Sequence, residues 1–343
     1  MEIKQLIKAL PKVEQNIHIV GSIRSKTLLW LAEESDIEMP FKTVEDIQDF
    51  FQYRDFRHFI SVYSTVVDCI KKEGQFERIT YEMLECDARC NVRLVEASFS
   101  AADHVFKGLE YSKMLDAVNK GIRRAHNDFG IDCSLRIDLV RNYGPAIGME
   151  VLDWIENNDD NIVSIDIGGS ETEFPPKPFA PVYRRAREME LRTAAHAGEA
   201  AGSESIWDAV KHLKVEHIGH GPAASTDPAL INYLAKHDIT IEMCPTSNIR
   251  TGVVSSLENH PIKAFLRRGL NVTVSTDDPS MFGTDMNNEY LQLHRRLGFT
   301  IPGLFKLSSN AVDSSFLSED RKISMRESFV KEYQRLTCDG PEI

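Results

Sequence analysis

The sequence predicts an α/β fold of the (β/α)8 class, a TIM-type barrel, and three observations carry that expectation. Short β-rich runs alternate with longer helical patterns eight times along the chain, which reads as a parallel barrel rather than an open sheet. No glycine-rich phosphate fingerprint follows the first run, so an open doubly wound sheet lacks its usual first turn. Ionisable residues gather at the carboxyl ends of the runs, the end where a parallel barrel assembles its chemistry.

The runs are VEQNIHI, VRLVEASF (92–99), CSLRIDLV (133–140), IVSIDIGG (162–169), RTAAHAG (192–198), VEHIGH (215–220), TIEMCP (240–245) and NVTVSTDD (271–278). Helical patterns such as YSKMLDAVNKGIRRAHNDFG and DPALINYLAKHD separate them, the second opening on an aspartate cap. The 343 residues are read as one barrel domain, since such a barrel takes roughly 250 residues or more. Extra helical material falls at about 25–90, after the first strand. Its aromatic stretch FFQYRDFRHFISVYSTVVDCI would lie on the catalytic face, where an insertion can wall a substrate.

A net charge of −12 without a Lys/Arg block argues against nucleic-acid and anionic-membrane partners. The start, MEIKQLIKALPKVE, has no apolar segment followed by a cleavage site, and no run is apolar enough to span a bilayer. Six cysteines without a framework spacing fit a reduced cytoplasm. A small-molecule substrate is the expected partner, and the oligomeric state stays open.

His18, His196, Glu199, His220, Asp277 and Asp278 all fall at or just beyond predicted strand ends, where a barrel makes distant residues neighbours. Two imidazoles and a carboxylate, from His18, His196 and Asp277, suit a divalent metal, with zinc the first choice, and leave room for water. Zinc lowers the pKa of bound water from about 15.7 to about 7. Glu199, three residues past His196, is placed to approach a substrate, and His220 on the next strand to orient the attacking oxygen.

LPKVE, IDIGGSE, HAGE, HIGHG, CPTSN, STDDP and NAVDSSFL occur in that order over nearly the whole chain. Together they resemble the adenosine deaminase family of metal-dependent hydrolases. The resemblance implies a (β/α)8 barrel and hydrolytic loss of ammonia from C6 of an adenine ring. By position it makes His18, His196 and Asp277 metal ligands and Glu199 the proton donor to purine N1. It has His220 and Asp278 hold the attacking hydroxide, Asp278 also meet N7, and the Gly169 backbone meet N3. The zinc signature of cytidine and tRNA deaminases, His-x-Glu with Pro-Cys-x-x-Cys, is absent, consistent with a free nucleoside.

Within that family the first motif, NIHIVGS, departs from HxHLDGS. Val20 stands where adenosine deaminases carry an aspartate for the ribose 5′-hydroxyl, and valine accepts no hydrogen bond. YRDFRHFISVY, SIWDAV and MFGTDMNNEY are similar to the branch that deaminates 6-amino-6-deoxyfutalosine, in the futalosine route to menaquinone. That substrate bears a carboxyphenyl ketone on its 5′ side, so an apolar wall and a cation are expected. Arg54, in the RDF triplet, is the expected carboxylate clamp, against the plainer reading of a solvated helix charge. Adenosine and 5′-methylthioadenosine are the alternatives.

Asn16 replaces the family's first metal-binding histidine. Three protein ligands and water still complete a four-coordinate site, and the Asn16 amide oxygen is the doubtful fourth ligand. A nucleoside-binding protein without turnover is the contrary expectation.

Overall fold

In a computed structural model, which describes residues 2–35 and 37–338, eight parallel strands run in sequential order around a nearly closed barrel. They are β1 (Lys12–His18), β2 (Val92–Phe99), β3 (Asp132–Val140), β4 (Ile162–Gly168), β5 (Arg192–Ala197), β6 (His217–His220), β7 (Thr240–Met243) and β8 (Val272–Val274). Helices connect successive strands, as right-handed parallel crossovers require. The seam between the first and last strands is drawn together just past β8. The Asp277 amide donates to the Asn16 carbonyl at 3.0 Å, and the His18 amide to the Asp277 carbonyl at 2.8 Å. The hydroxyl of Ser275 accepts from the amides of Gln15 and Asn16.

Branched and aliphatic residues bury the strand faces turned to the helices, Ile17, Val95, Ile137, Ile165, Ile218, Ile241 and Val272 among them. The inward faces carry a charge layer deep in the barrel. Arg136 of β3 donates to both oxygens of Glu242 on β7, at 2.8 and 2.6 Å, and to Glu96 of β2 at 2.7 Å. His217, which opens β6, lies 2.6 Å from Glu242 through Nδ1 and stacks on Phe316.

Between β1 and β2 the chain forms the helices Ser25–Ser35, Val44–Phe50, Phe56–Asp68 and Gln75–Arg89. Asp55 caps the third by accepting from the His58 amide, a strong N-terminal signal. Tyr53 fixes this segment over the barrel mouth: its hydroxyl donates to the Met281 carbonyl at 3.0 Å, and its ring meets Phe59 and Phe282 edge-on. Among the described residues no helix is long and apolar enough to cross a membrane, and the cysteines described are free.

Candidate active site

At the carboxyl mouth of the barrel His18 ends β1, His196 lies one residue before the end of β5, His220 ends β6 and Asp277 follows β8. His18 Nε2 stands 3.3 Å from His196 Nε2 and 3.3 Å from Asp277 Oδ1. His220 Nε2 is 3.8 Å from Asp277 Oδ2, and its Nδ1 is 3.7 Å from the Glu199 carboxylate. His220 and Asp277 hold left-handed backbones, φ 64° and 67°, a conformation that costs a residue with a Cβ about 1–3 kcal/mol and clusters at functional sites. Asp278 approaches the turn after β1 closely: a Cβ on Gly21 would fall 1.7 Å from its Oδ1. Only glycine fits there, which accounts for the Gly-Ser that ends NIHIVGS.

The residues fit a divalent cation. Asp166, on the neighbouring strand β4, takes up both the His196 amide and its Nδ1, each at 3.1 Å. That leaves the His196 lone pair on Nε2, aimed at the Nε2 of His18. Two ring nitrogens in that attitude need a proton or a metal between them. The donor atoms of His18, His196 and Asp277 lie within 4.8 Å of one another. The surrounding field favours positive charge: burial opposes it, but Asp278 and Asp277 hold the His18 imidazole up at about 9. Asp166 and Asp277 hold that of His196 at about 10. Burial disfavours the Asp277 anion, yet His220, His18 and His196 keep its carboxyl well below the usual range. Ser247 donates to its Oδ2 at 2.7 Å. Asn16, 1% exposed, has no hydrogen-bond partner at either amide atom, and its Nδ2 lies 3.2 Å from where a Gly219 Cβ would sit, as does the His196 ring.

Beside this cluster are two carboxyls of opposite character to Asp277. Burial and the neighbouring Asp277 push Glu199 and Asp278 well above the usual carboxylate range, which favours the protonated form of each. His220 goes the other way: burial, with the charges of His196 and His18, brings it down to about 4. A relay sets its tautomer. The Ile262 amide faces His260 Nδ1 at 3.4 Å, His260 Nε2 faces Asn248 Oδ1 at 3.2 Å, and Asn248 Nδ2 faces His220 Nδ1 at 3.0 Å. Read from Ile262 inward, each group donates to the next, which leaves the His220 proton on Nε2, toward the cluster.

Several of these supports, Ser247 among them, are not assigned by the sequence reading. Asp166 stands in IDIGG with its role open. Glu171 follows β4, and its buried carboxylate accepts from the amides of Gly198, Glu199, Ala200 and Ala201 and from the Ser205 hydroxyl. It therefore shapes the turn that carries Glu199. Asn248 and His260 complete the set. The available signal is position alone: Glu171, Ser247 and Asn248 stand just past strand ends, inside motifs quoted for their neighbours.

A cavity of about 280 Å³ opens above the cluster. His18, His196, Glu199, His220, Asp277 and Asp278 line it with Gly168 and Gly169 of the β4 end. Phe56, Phe59, Ile60 and Tyr63 of the insertion form an apolar wall. Val20 and Arg54 are not among the lining residues. Strand alternation stops at His18, where the chain turns into a single 3-10 turn (Val20–Ser22), and Val20 packs into the core at 3% exposure. Arg54 precedes the capped helix and is exposed, and the nearby Arg57 pairs with Glu173 at the surface.

The model of the family described as adenosine deaminase matches residues 11–332. An aminodeoxyfutalosine deaminase of Streptomyces avermitilis is 37% identical over 320 residues, 92% of this chain and 89% of that protein. An adenosine deaminase of Serratia proteamaculans is 35% identical over 323 residues, 93% of this chain and 97% of that one. Among solved structures, an amidohydrolase from Burkholderia ambifaria with bound zinc superposes with a TM-score of 0.91 at 28% identity, covering 99% of this chain and 96% of that one.

Proposed function

Because the chain belongs to the adenosine deaminase family and is an enzyme of its metal-dependent amidohydrolase type, we propose that it hydrolyses the C6 amino group of a 5′-modified adenine nucleoside, first of all 6-amino-6-deoxyfutalosine. The observation that carries the chemistry is geometric: Glu199 and His220 stand 3.7 Å apart at one mouth beside a two-histidine, one-aspartate cluster. The Glu199 carboxyl is pushed up and the His220 imidazole pushed down from their ordinary values. A divalent cation held by His18, His196 and Asp277, with Asn16 beside them, supplies Lewis acidity toward water. Zinc suits that mixed nitrogen and oxygen set.

Glu199 places its proton on ring nitrogen N1, which draws electron density from C6 as water adds there. His220 donates from Nε2 to the incoming oxygen and fixes its direction, and Asp278, keeping its proton, donates to N7. The Glu199 carboxylate left by that transfer takes up one proton of the added water. The remaining hydroxyl proton passes to the amino nitrogen as the C6–N bond breaks, so ammonia leaves, a carbonyl remains at C6 and Glu199 is again protonated. All three groups are fixed before charge develops, which is where preorganised donors are worth most.

The 5′ assignment rests on the two aminodeoxyfutalosine deaminases at 36–37% identity and on the apolar wall of Phe56, Phe59, Ile60 and Tyr63; Val20, buried in the core, does not carry it. A second reading, an uncharged 5′ group as in adenosine or 5′-methylthioadenosine, is favoured by the cavity's lack of any lysine or arginine among its described lining residues. Ammonia release by the metal-loaded protein from these three nucleosides tests both. The highest kcat/KM is expected for 6-amino-6-deoxyfutalosine. A preference for adenosine overturns the 5′ assignment, and no release from any of the three overturns the deaminase reading.

A further inference from the structure

The cavity has a second polar sector that the deamination chemistry leaves unused. Ser100, past β2, and Asp138, on β3, line it on the side away from β5, β6 and β8. Asp138 is 5% exposed. Its one hydrogen bond in the described structure comes from the Ser100 hydroxyl to Oδ2 at 2.7 Å, and Oδ1 has no partner. The carboxylate packs against Gly168, whose Cβ, if present, would lie 3.0 Å from Oδ1. Asp103, also in the lining, accepts from the Tyr143 hydroxyl at 2.8 Å.

A buried carboxylate with an unmet oxygen is costly unless something donates to it. An ionised carboxylate only accepts, so whatever meets Asp138 must carry N–H or O–H groups. The ring nitrogens N1, N3 and N7 of an adenine nucleoside all accept, and its amino group is committed to the reacting end at Glu199 and His220. The ribose hydroxyls are the remaining donors, and a nucleoside with its C6 at the cluster extends its ribose into the rest of the cavity.

The geometry points to Asp138, held by Ser100, as the acceptor for the ribose 2′- or 3′-hydroxyl, so that this site selects ribosides over their deoxy counterparts. This assignment rests on the nucleoside reading above. It holds for any 5′ substituent, because the donors it uses are common to all of them.

Calorimetric binding of inosine, 2′-deoxyinosine and 3′-deoxyinosine to the metal-loaded protein tests it without turnover. Loss of the recognised hydroxyl is expected to weaken binding roughly ten- to a hundredfold, as for a hydrogen bond to a charged group. In Asp138→Asn that gap shrinks to about threefold or less, and Ser100→Ala narrows it in the same direction. The gap in the unaltered protein needs no variant to fold. Equal affinity for all three nucleosides, or a gap untouched by Asp138→Asn, overturns the subsite and leaves deamination standing. Failure of all three to bind overturns the nucleoside reading and the subsite together.

Discussion

Two clusters of charge lie inside the same barrel, and they reach opposite solutions to burial. In the deep layer Arg136 meets Glu242 and Glu96 at 2.6–2.8 Å. After the cost of burial, Glu242 and Glu96 raise the guanidinium above its ordinary value, and Arg136 draws the Glu242 carboxyl below its own. At the mouth, two ring nitrogens face each other, Asn16 has no partner at either amide atom, and two carboxyls are pushed up toward their protonated form. The charges of the first cluster are paired by the chain's own atoms, with the Arg136 Nε–H alone left without a partner. The second makes chemical sense only when a cation and a substrate supply the missing partners. A deep ion pair thus reports on how the barrel is held, and an incomplete one on what it binds.

The sharpest way to break the comparison is Glu199→Gln. This amide lacks the proton that Glu199 is assigned to deliver, so kcat for ammonia release is expected to fall by about 10²–10⁴. The melting temperature should barely change, because no buried charge is created. A variant that keeps its rate contradicts the role.

Arg136→Met does the reverse. It leaves Glu96 and Glu242 buried without their cation, at an expected cost of about 3–5 kcal/mol in urea unfolding. A cost below about 1 kcal/mol would show that the deep layer is not held by that guanidinium.

The smallest effect sharpens the picture with a third solution, burial in the neutral state. His104 is fully buried against Phe76, with neither ring nitrogen paired. Burial, with Lys107 adding to it, lowers its pKa to about 3 from 6.5. The folded imidazole stays neutral where the unfolded one binds a proton, so its share of stability is intact above 6.5 and is lost as pH falls toward 3. The slope reaches at most about 1.4 kcal/mol per pH unit. His104→Leu should flatten that part of the stability profile, and an unchanged profile would contradict it.

Strand–helix alternation made the barrel readable in sequence, because a strand's pattern depends on residues close along the chain. Seven of the eight runs coincide with strands within a few residues, and β8 is the exception in length, ending at Val274. The STDD residues lie beyond it, where the chain leaves the sheet for the left-handed Asp277. The mouth residues were legible for the same reason: each lies at or just past the carboxyl end of a strand. What was not legible depends on pairing across the barrel. Glu171 grips a turn 27 to 34 residues away, and Asn248 reads His220 from the short helix after β7, at separations no periodicity encodes. Val20 lay two residues past His18, where alternation stops being a guide.

Calorimetric titration of the chelator-treated protein with Zn²⁺ at neutral pH tests the central contrast most directly. The expected result is one cation per chain, abolished by Asp277→Asn with the fold retained. A folded protein that binds no divalent cation, or an Asp277→Asn variant that binds it as tightly as before, would contradict the account.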